Sequence, residues 1–296
     1  MSVVNKADQE YIKACQHILE HGVEKSDRTG TGTKSVFGVQ MRFNLQDGFP
    51  LLTTKAVHWH SVVTELLWFL LGDTNIGYLR DHKVRIWNAW ATEDGEIGPM
   101  YGKQWREWEV EQGSEFGSSF TFWEDQIQTL IKSLKEDPDS RRHLVSAWNV
   151  SSLPDSKISP QDNVKLGNMA LAPCHYSFQC YVADGKLSML VNQRSADMFL
   201  GVPFNIASYS LLTHMIALVC DLDVGELVWS GGDCHLYLNH LDQIKEQIKR
   251  YEDGKMHPAP TLELNSNIKD IDLFMHEDIH IHNYKHEAKI SAPVAV

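Results

Sequence analysis

The 296-residue sequence predicts an α/β (α+β) fold, and three observations carry that expectation. Apolar and polar residues alternate on both sides of Asp184-Gly185, which is the pattern of a β-hairpin. Residues 8–21 instead place their apolar side chains at helical spacing, and 206–220 read as an apolar helix ended by Asp221. No internal repeat and no shift of composition divides the chain, so a single domain over 1–296 is expected, with a loop insertion at 151–168.

Composition sets the class before any motif is read. Hydrophobic residues at 43% and charged residues at 22% can bury a sizeable core and leave no disorder signature. A formal net charge of -12 argues against a general nucleic-acid coat, because that binding is driven by many cations replacing counterions. An anionic ligand must then be held by a few local arginines. The five cysteines, at 15, 174, 180, 220 and 234, form no CxxC pair, and an odd number suits a reducing compartment better than a disulfide framework. The first ten residues are polar and acidic where a signal peptide needs an apolar core, so a cytoplasmic protein without membrane attachment is expected.

Taken in order, the chain begins with a helix whose Tyr11, Cys15, Ile18 and Leu19 share one face and whose stop is Gly22. In Asp27-Arg28-Thr29-Gly30-Thr31-Gly32-Thr33 the alternation of glycine and threonine predicts backbone N–H groups open to an anion, with Arg28 adding a bidentate donor. No Gly-Lys-Ser/Thr closes it as a P-loop, and a plain flexible turn accounts for it equally well. Phe37, Val39, Met41 and Phe43 alternate as one face of a half-buried strand. Residues 58–71 read as a buried helix, too short and too polar at its start to span a membrane. Glu65 lies inside it with Val62, Trp68 and Phe69 as helical neighbours; a carboxylate so placed must be paired or protonated, which makes it a proton-transfer candidate. Gly72-Asp73-Thr74 stops this helix and caps a short one through Tyr78 and Leu79.

Ile86-Trp87-Asn88-Ala89-Trp90 and Gly98-Pro99-Met100-Tyr101-Gly102 gather aromatics in a Gly/Pro-rich loop. They either roof the core or wall a site for a flat heterocycle, with the Tyr101 hydroxyl available to a water network. Residues 109–120 predict an exposed loop, and Thr121-x-x-Glu124 reads as a capping box for a helix carrying Ile127, Leu130, Ile131 and Leu134 and ended by Pro138. Arg141 and Arg142 form a paired cation in an acidic chain, just before a strand over 143–148. Residues 151–168 show no periodicity. A strand at Leu227-Val228-Trp229 runs into Gly231-Gly232-Asp233-Cys234-His235-Leu236-Tyr237, and a helix follows over 239–251. His276, His280, His282 and His286 predict an exposed edge rather than a metal site, since no cysteine or fixed ligand quartet accompanies them.

The chemistry centres on Leu171-Ala172-Pro173-Cys174-His175, Gln193-Arg194-Ser195-Ala196-Asp197 and Gly201-Val202-Pro203-Phe204-Asn205. A thiol, a fixed cation and an amide in one short stretch outline a small-molecule site. A cysteine taken singly is commonly core filler, whereas one beside a cation has a lowered pKa and is a soft nucleophile. A Cys-His hydrolase is disfavoured, because adjacent Cys174 and His175 do not readily form an in-plane base pair.

Together with Glu65-Leu66-Leu67-Trp68-Phe69-Leu70, Asp137-Pro138-Asp139-Ser140-Arg141-Arg142 and the terminal Ala292-Pro293-Val294-Ala295-Val296, these motifs resemble the folate-dependent thymidylate synthase family over nearly the whole chain. The resemblance implies a twisted mixed β-sheet with flanking helices, one sheet face at a homodimer interface, dUMP as substrate, and 5,10-methylenetetrahydrofolate as one-carbon donor and reductant, with no metal. It implies Cys174 as the nucleophile at uracil C6 and Arg194 as a contact to both phosphate and thiol. Arg28 and Ser195 would bind the phosphate, with Arg141 and Arg142 reaching it from the second subunit. Asn205 would read uracil O4 and N3–H, Asp197 would face both ligands, and His235 and Tyr237 would hold the sugar 3′-hydroxyl. Glu65 and Tyr101 would manage protons. His58, Trp87, Trp90, Gly201, Ala295 and Val296 would line the folate site, the tail closing over it. Lys55 stands in its family place, followed by Ala56 where many members carry arginine. Two readings compete: a pyrimidine hydroxymethylase on the same fold, and an RNA-binding regulator, against which the chain's acidity weighs.

Overall fold

Alternating apolar residues build the sheet of this chain, and one apolar helix crosses it. The computed structural model describes residues 5–27, 29–113 and 119–294. Helix α1 (Lys6–His21) starts at Asn5, whose side chain accepts the N–H groups of Ala7 and Asp8, and buries Tyr11, Cys15 and Ile18. Strands β1 (Val23–Lys25) and β2 (Thr33–Asn44) follow, then helices α2 (Trp59–Leu70), α3 (Gly77–Asp81) and α4 (Tyr101–Arg106). A ribbon of β3 (Trp108–Gly113) and β4 (Ser119–Glu124) leads into α5 (Gln126–Glu136), β5 (Leu144–Ser146) and α6 (Pro160–Lys165). The hairpin of β6 (His175–Ala183) and β7 (Lys186–Asp197) is joined by α7 (Gly201–Val219) to β8 (Asp223–Tyr237). Helix α8 (Leu241–Glu252) and the pair β9 (Thr261–Leu264) and β10 (Ile279–His282) complete the chain.

Six strands form the main sheet in the order β1-β2-β8-β7-β6-β5. The sheet is mixed: β7 and β8 run parallel, and the other neighbours are antiparallel. A parallel pair needs a crossover, and α7 supplies it. This helix is apolar nearly all round and is mostly buried inside the fold, as a core helix requires.

The register places the predicted chemistry at one end of the sheet. His175 pairs with Gln193, Asp197 with His235, and Thr33 with Tyr237. The start of β6, the ends of β7 and β8, and the loop before β2 therefore converge. On the sheet's other face, Leu144 and Tyr181 stay 51% and 67% exposed, so the chain's own helices leave that surface open there.

Several local expectations are corrected. Phe37 is 91% exposed although alternation put it with Met41 and Phe43; it stands beside Gly38, which takes a positive φ (87°) in an uncovered stretch of β2. Thr121 and Glu124 belong to β4 rather than to a capping box, and the side chain of Asp125 caps α5 by accepting from Gln128 N–H. The exposed loop expected over 109–120 is largely a two-stranded ribbon. Thr74 does not cap α3: its hydroxyl donates to Glu96, and Asn75 Oδ1 takes the Gly77 N–H. Within 151–168, Ser159 caps α6 with Pro160 in its first turn, a helix too short to leave a periodic signal.

Candidate active site

The site is assembled from the contact between α2 and α4. A Cβ on Gly102 would fall 2.6 Å from the Phe69 carbonyl oxygen, so only glycine lets the two helices approach this closely. That approach sets Tyr101 against Phe69 (5.0 Å) and brings its hydroxyl oxygen within 2.9 Å of the Cys174 N–H, which donates to it. Arg194 fixes the same bend from the other side. Its N–H donates to Cys174 O (2.8 Å), its Nε to Pro173 O (2.9 Å) and its Nη2 to Ala172 O (2.8 Å). No carboxylate pairs with this exposed guanidinium among the described residues. Cys174 thus sits half-buried beside an uncompensated positive charge. The remaining cysteines are inert by comparison, since burial pushes Cys15 and Cys234 up to about 12, Cys220 to about 11 and Cys180 up as well.

Glu65 is buried, as its helical neighbours predicted, and accepts a hydrogen bond from Trp87 Nε1 at 2.7 Å. Burial raises its carboxyl to about 7, and the Trp87 indole offsets this only in part. Trp90 stands edge-on to Trp87 at 5.6 Å. Burial also drives the Tyr101 hydroxyl well above the phenol range, so it remains protonated. At the start of α2, exposed His58 shares a 2.8 Å contact with Ser61.

Asn205 is oriented from the core. The indole N–H of Trp229 can only donate, and it donates to Gln193 Oε1 (2.9 Å); Gln193 Nε2 then donates to Asn205 Oδ1 (3.1 Å) and to Ser195 O (3.1 Å). This leaves the Asn205 amide nitrogen to donate outward, and a second lone pair on Oδ1 to accept. Gln193→Leu is accordingly expected to raise the KM for a ligand read by Asn205 roughly tenfold without unfolding the protein, as steady-state kinetics and thermal melting would show. Asp197 Oδ1 accepts the Phe199 and Leu200 N–H groups (3.0 and 3.2 Å), with Gly201 packed beside Asp197 and Asn205. His235 lies 3.2 Å from Asp233 Oδ1 and 5.2 Å, ring to ring, from Tyr237. Lys55 is buried, donates to Phe199 O and lies over the Phe199 ring; burial lowers its pKa to about 7, with Asp197 opposing the shift.

Sequence comparison supplies the family. The thymidylate synthase family model matches residues 9–296. A thymidylate synthase of Francisella philomiragia subsp. philomiragia is 56% identical over 288 residues, covering 97% of this chain and 100% of the relative. One from Francisella tularensis subsp. holarctica matches with the same identity and coverage. The chain belongs to the thymidylate synthase family. As a thymidylate synthase family member it is an enzyme, and its mixed sheet with flanking helices agrees with the fold the motifs implied.

Against the thymidylate synthase motifs, the structure adds residues and revises one. His175, Tyr209, Gln193 and Trp229 carry functional geometry that was not assigned from sequence; the polar Gln193 on an otherwise apolar strand face was the available signal. The glycine-threonine loop is not an open anion cradle. The N–H groups of Thr29 and Gly32 go to the Asp27 carboxylate, that of Gly30 to Asp27 O and that of Thr31 to Thr29 Oγ1, so these four donors are already taken within the loop. Burial would raise Asp27, yet the bonds from Thr29 and Gly32 outweigh it and hold the carboxyl below its usual range. Arg28, Ala295 and Val296 lie outside the described residues. Arg141 and Arg142 are exposed, with no ion pair among the described residues, and stand away from Cys174: Leu144 pairs with Gln179, roughly 16 Å of extended strand from Cys174, and the Gln179 side chain donates to Arg141 O. For the reduced folate that the family uses, the residues present fit. Trp87 and Trp90, set edge to face, give an aromatic corner, and Glu65 beside Trp87 has a pKa suited to moving a proton near neutrality.

Proposed function

We propose that this chain converts dUMP to dTMP by reductive methylation, with Cys174 adding covalently to C6 of the uracil ring. The observation that carries the reading is the convergence of Cys174, Tyr101, Glu65, Arg194 and Asn205 at one sheet end in a chain of this family. C5 of uracil is a poor nucleophile until a thiolate adds at C6 and pushes charge toward the C4 carbonyl. Arg194 favours the thiolate and, with Ser195 and Arg28, receives the phosphate. Asn205 donates to O4 and accepts N3–H, a pattern that cytosine does not match. His235 and Tyr237 hold the sugar hydroxyl. Glu65 and Tyr101 handle protons at C5 and at the folate, and Trp87, Trp90, His58, Asp197 and Gly201 line the folate site, with Ala295 and Val296 closing it against water. Bound 5,10-methylenetetrahydrofolate supplies the one-carbon unit and the hydride. None of these roles calls for a metal, and the enzyme is assigned to the cytoplasm.

The working unit is a homodimer joined through the open sheet face. Exposed Leu144 and Tyr181 on that face support it, and so do Arg141 and Arg142, which lie just before β5, beside Gln179 and away from their own Cys174. Mixing inactive Cys174→Ser and Arg142→Ala subunits under exchange conditions is expected to restore activity, since each mixed dimer holds one complete site. Recovery indistinguishable from the unmixed controls would exclude phosphate binding across the interface. The reaction itself is tested by incubating purified protein with dUMP and methylenetetrahydrofolate, following dihydrofolate by absorbance and the nucleotide by mass spectrometry. Thymidylate with stoichiometric dihydrofolate is expected; a hydroxymethyl product without dihydrofolate would overturn the assignment.

A further inference from the structure

His175 follows the nucleophile and is only 7% exposed, with its ring stacked on Tyr101 at 4.2 Å and 17°. Its Nδ1 lies 2.7 Å from the hydroxyl of Tyr209, a residue on α7 that is 3% exposed and meets the imidazole edge-on at 5.2 Å. We propose, resting on the reaction assigned above, that Tyr209 is a positioning residue that fixes His175 as the Nε2–H tautomer, so that the imidazole offers substrate or ordered water a permanent N–H donor.

Counting hydrogens assigns the tautomer. The Tyr209 hydroxyl has no partner among the described residues except His175 Nδ1, and a phenol has one hydrogen to place. Burial drives the phenol well above its usual range and the imidazole down to about 3, its own backbone carbonyl opposing the latter shift, so both groups are neutral at working pH. If Nδ1 accepts from Tyr209, the single imidazole hydrogen resides on Nε2. The other tautomer, with Nδ1–H turned to that carbonyl or to the phenol oxygen, strands the phenol hydrogen in a buried site. Nε2 has no protein partner among the described residues and is not one of the sealed, unsatisfied atoms. It is therefore the imidazole atom left to serve the charge that builds toward the uracil carbonyl, and a neutral donor does so across the neutral range without titrating.

Nitrogen-15 NMR of the histidine-labelled full-length protein tests this, with His175 assigned by the resonances lost in His175→Gln. The expected wild-type result is nitrogen shifts of the Nε2–H tautomer, unchanged across neutral pH. In Tyr209→Phe the Nδ1–H tautomer is expected to become populated, kcat to fall about tenfold to a hundredfold and KM for dUMP to stay within about twofold, because the donor acts on charge that develops only during reaction. A wild-type His175 protonated on Nδ1, a Tyr209→Phe spectrum with the tautomer unchanged, or a tautomer shift with kcat unaltered would each overturn the proposal. The wild-type spectrum needs no variant to fold. A wild-type protein without thymidylate-forming turnover would overturn the assigned reaction instead, and with it the catalytic use of the donor, while the spectrum still decides whether Tyr209 sets the tautomer.

Discussion

Cys174→Ser is expected to lose turnover by about three orders of magnitude or more, the scale of removing a covalent nucleophile, while dUMP affinity changes by less than about 1 kcal/mol. The asymmetry follows from where the residue is held. Its backbone N–H reaches Tyr101, its carbonyl takes the Arg194 N–H, and neither bond involves the sulfur atom, so serine leaves the loop in place. What changes is chemistry. A thiolate is a far better soft nucleophile than a serine hydroxyl, and a nearby guanidinium favours the thiolate form, whereas serine stays a neutral alcohol in the same place. Single-turnover kinetics with calorimetry of dUMP binding would separate the two effects, and a covalent adduct detected by mass spectrometry should vanish with the sulfur. Retention of turnover within about tenfold of wild type would sink the covalent role.

Glu65→Gln is expected to trade activity for stability in a pH-dependent way. Burial raises the Glu65 carboxyl from an ordinary 4.5 to about 7. The folded protein therefore holds this proton more tightly than the unfolded chain does, and stability from it is fully present below about 4.5 and is lost as pH rises to about 7. An amide keeps the bond from Trp87 and carries no charge to bury. The variant should match wild type in urea denaturation near the acid end of this window and exceed it above pH 7, by up to roughly 3 kcal/mol. Turnover should fall about a hundredfold to ten-thousandfold, and the limb of the rate profile set by Glu65 should disappear. A stability difference independent of pH, or a variant weaker than wild type at alkaline pH, would contradict the burial argument.

Legibility in the sequence followed the range of the interactions involved. The hairpin around Asp184-Gly185 and the buried face of α2 were readable because their patterns are local. Glu65 was readable for the same reason, its apolar neighbours being three and four residues away. Phe37 misled because alternation along a strand does not tell which stretch of it other elements cover. Thr121 and Glu124 misled because threonine, two residues and glutamate also suit a strand, and the cap that mattered was one residue further on. The Tyr209 to His175 and Trp229 to Gln193 bonds join residues 34 and 36 positions apart, and no local pattern announces such pairs. The glycine-threonine loop failed differently: its N–H groups were counted as open, but an aspartate at its own entrance takes two of them.

Strand β6 carries the nucleophile at one end, while the arginines beside its neighbour β5 sit near the other. If those arginines serve a second copy's site, a compound that wedges onto Leu144 and Tyr181 would stop catalysis without resembling nucleotide or folate. Raising either metabolite would not rescue such an inhibited enzyme, and its potency would fall as the enzyme was made more abundant.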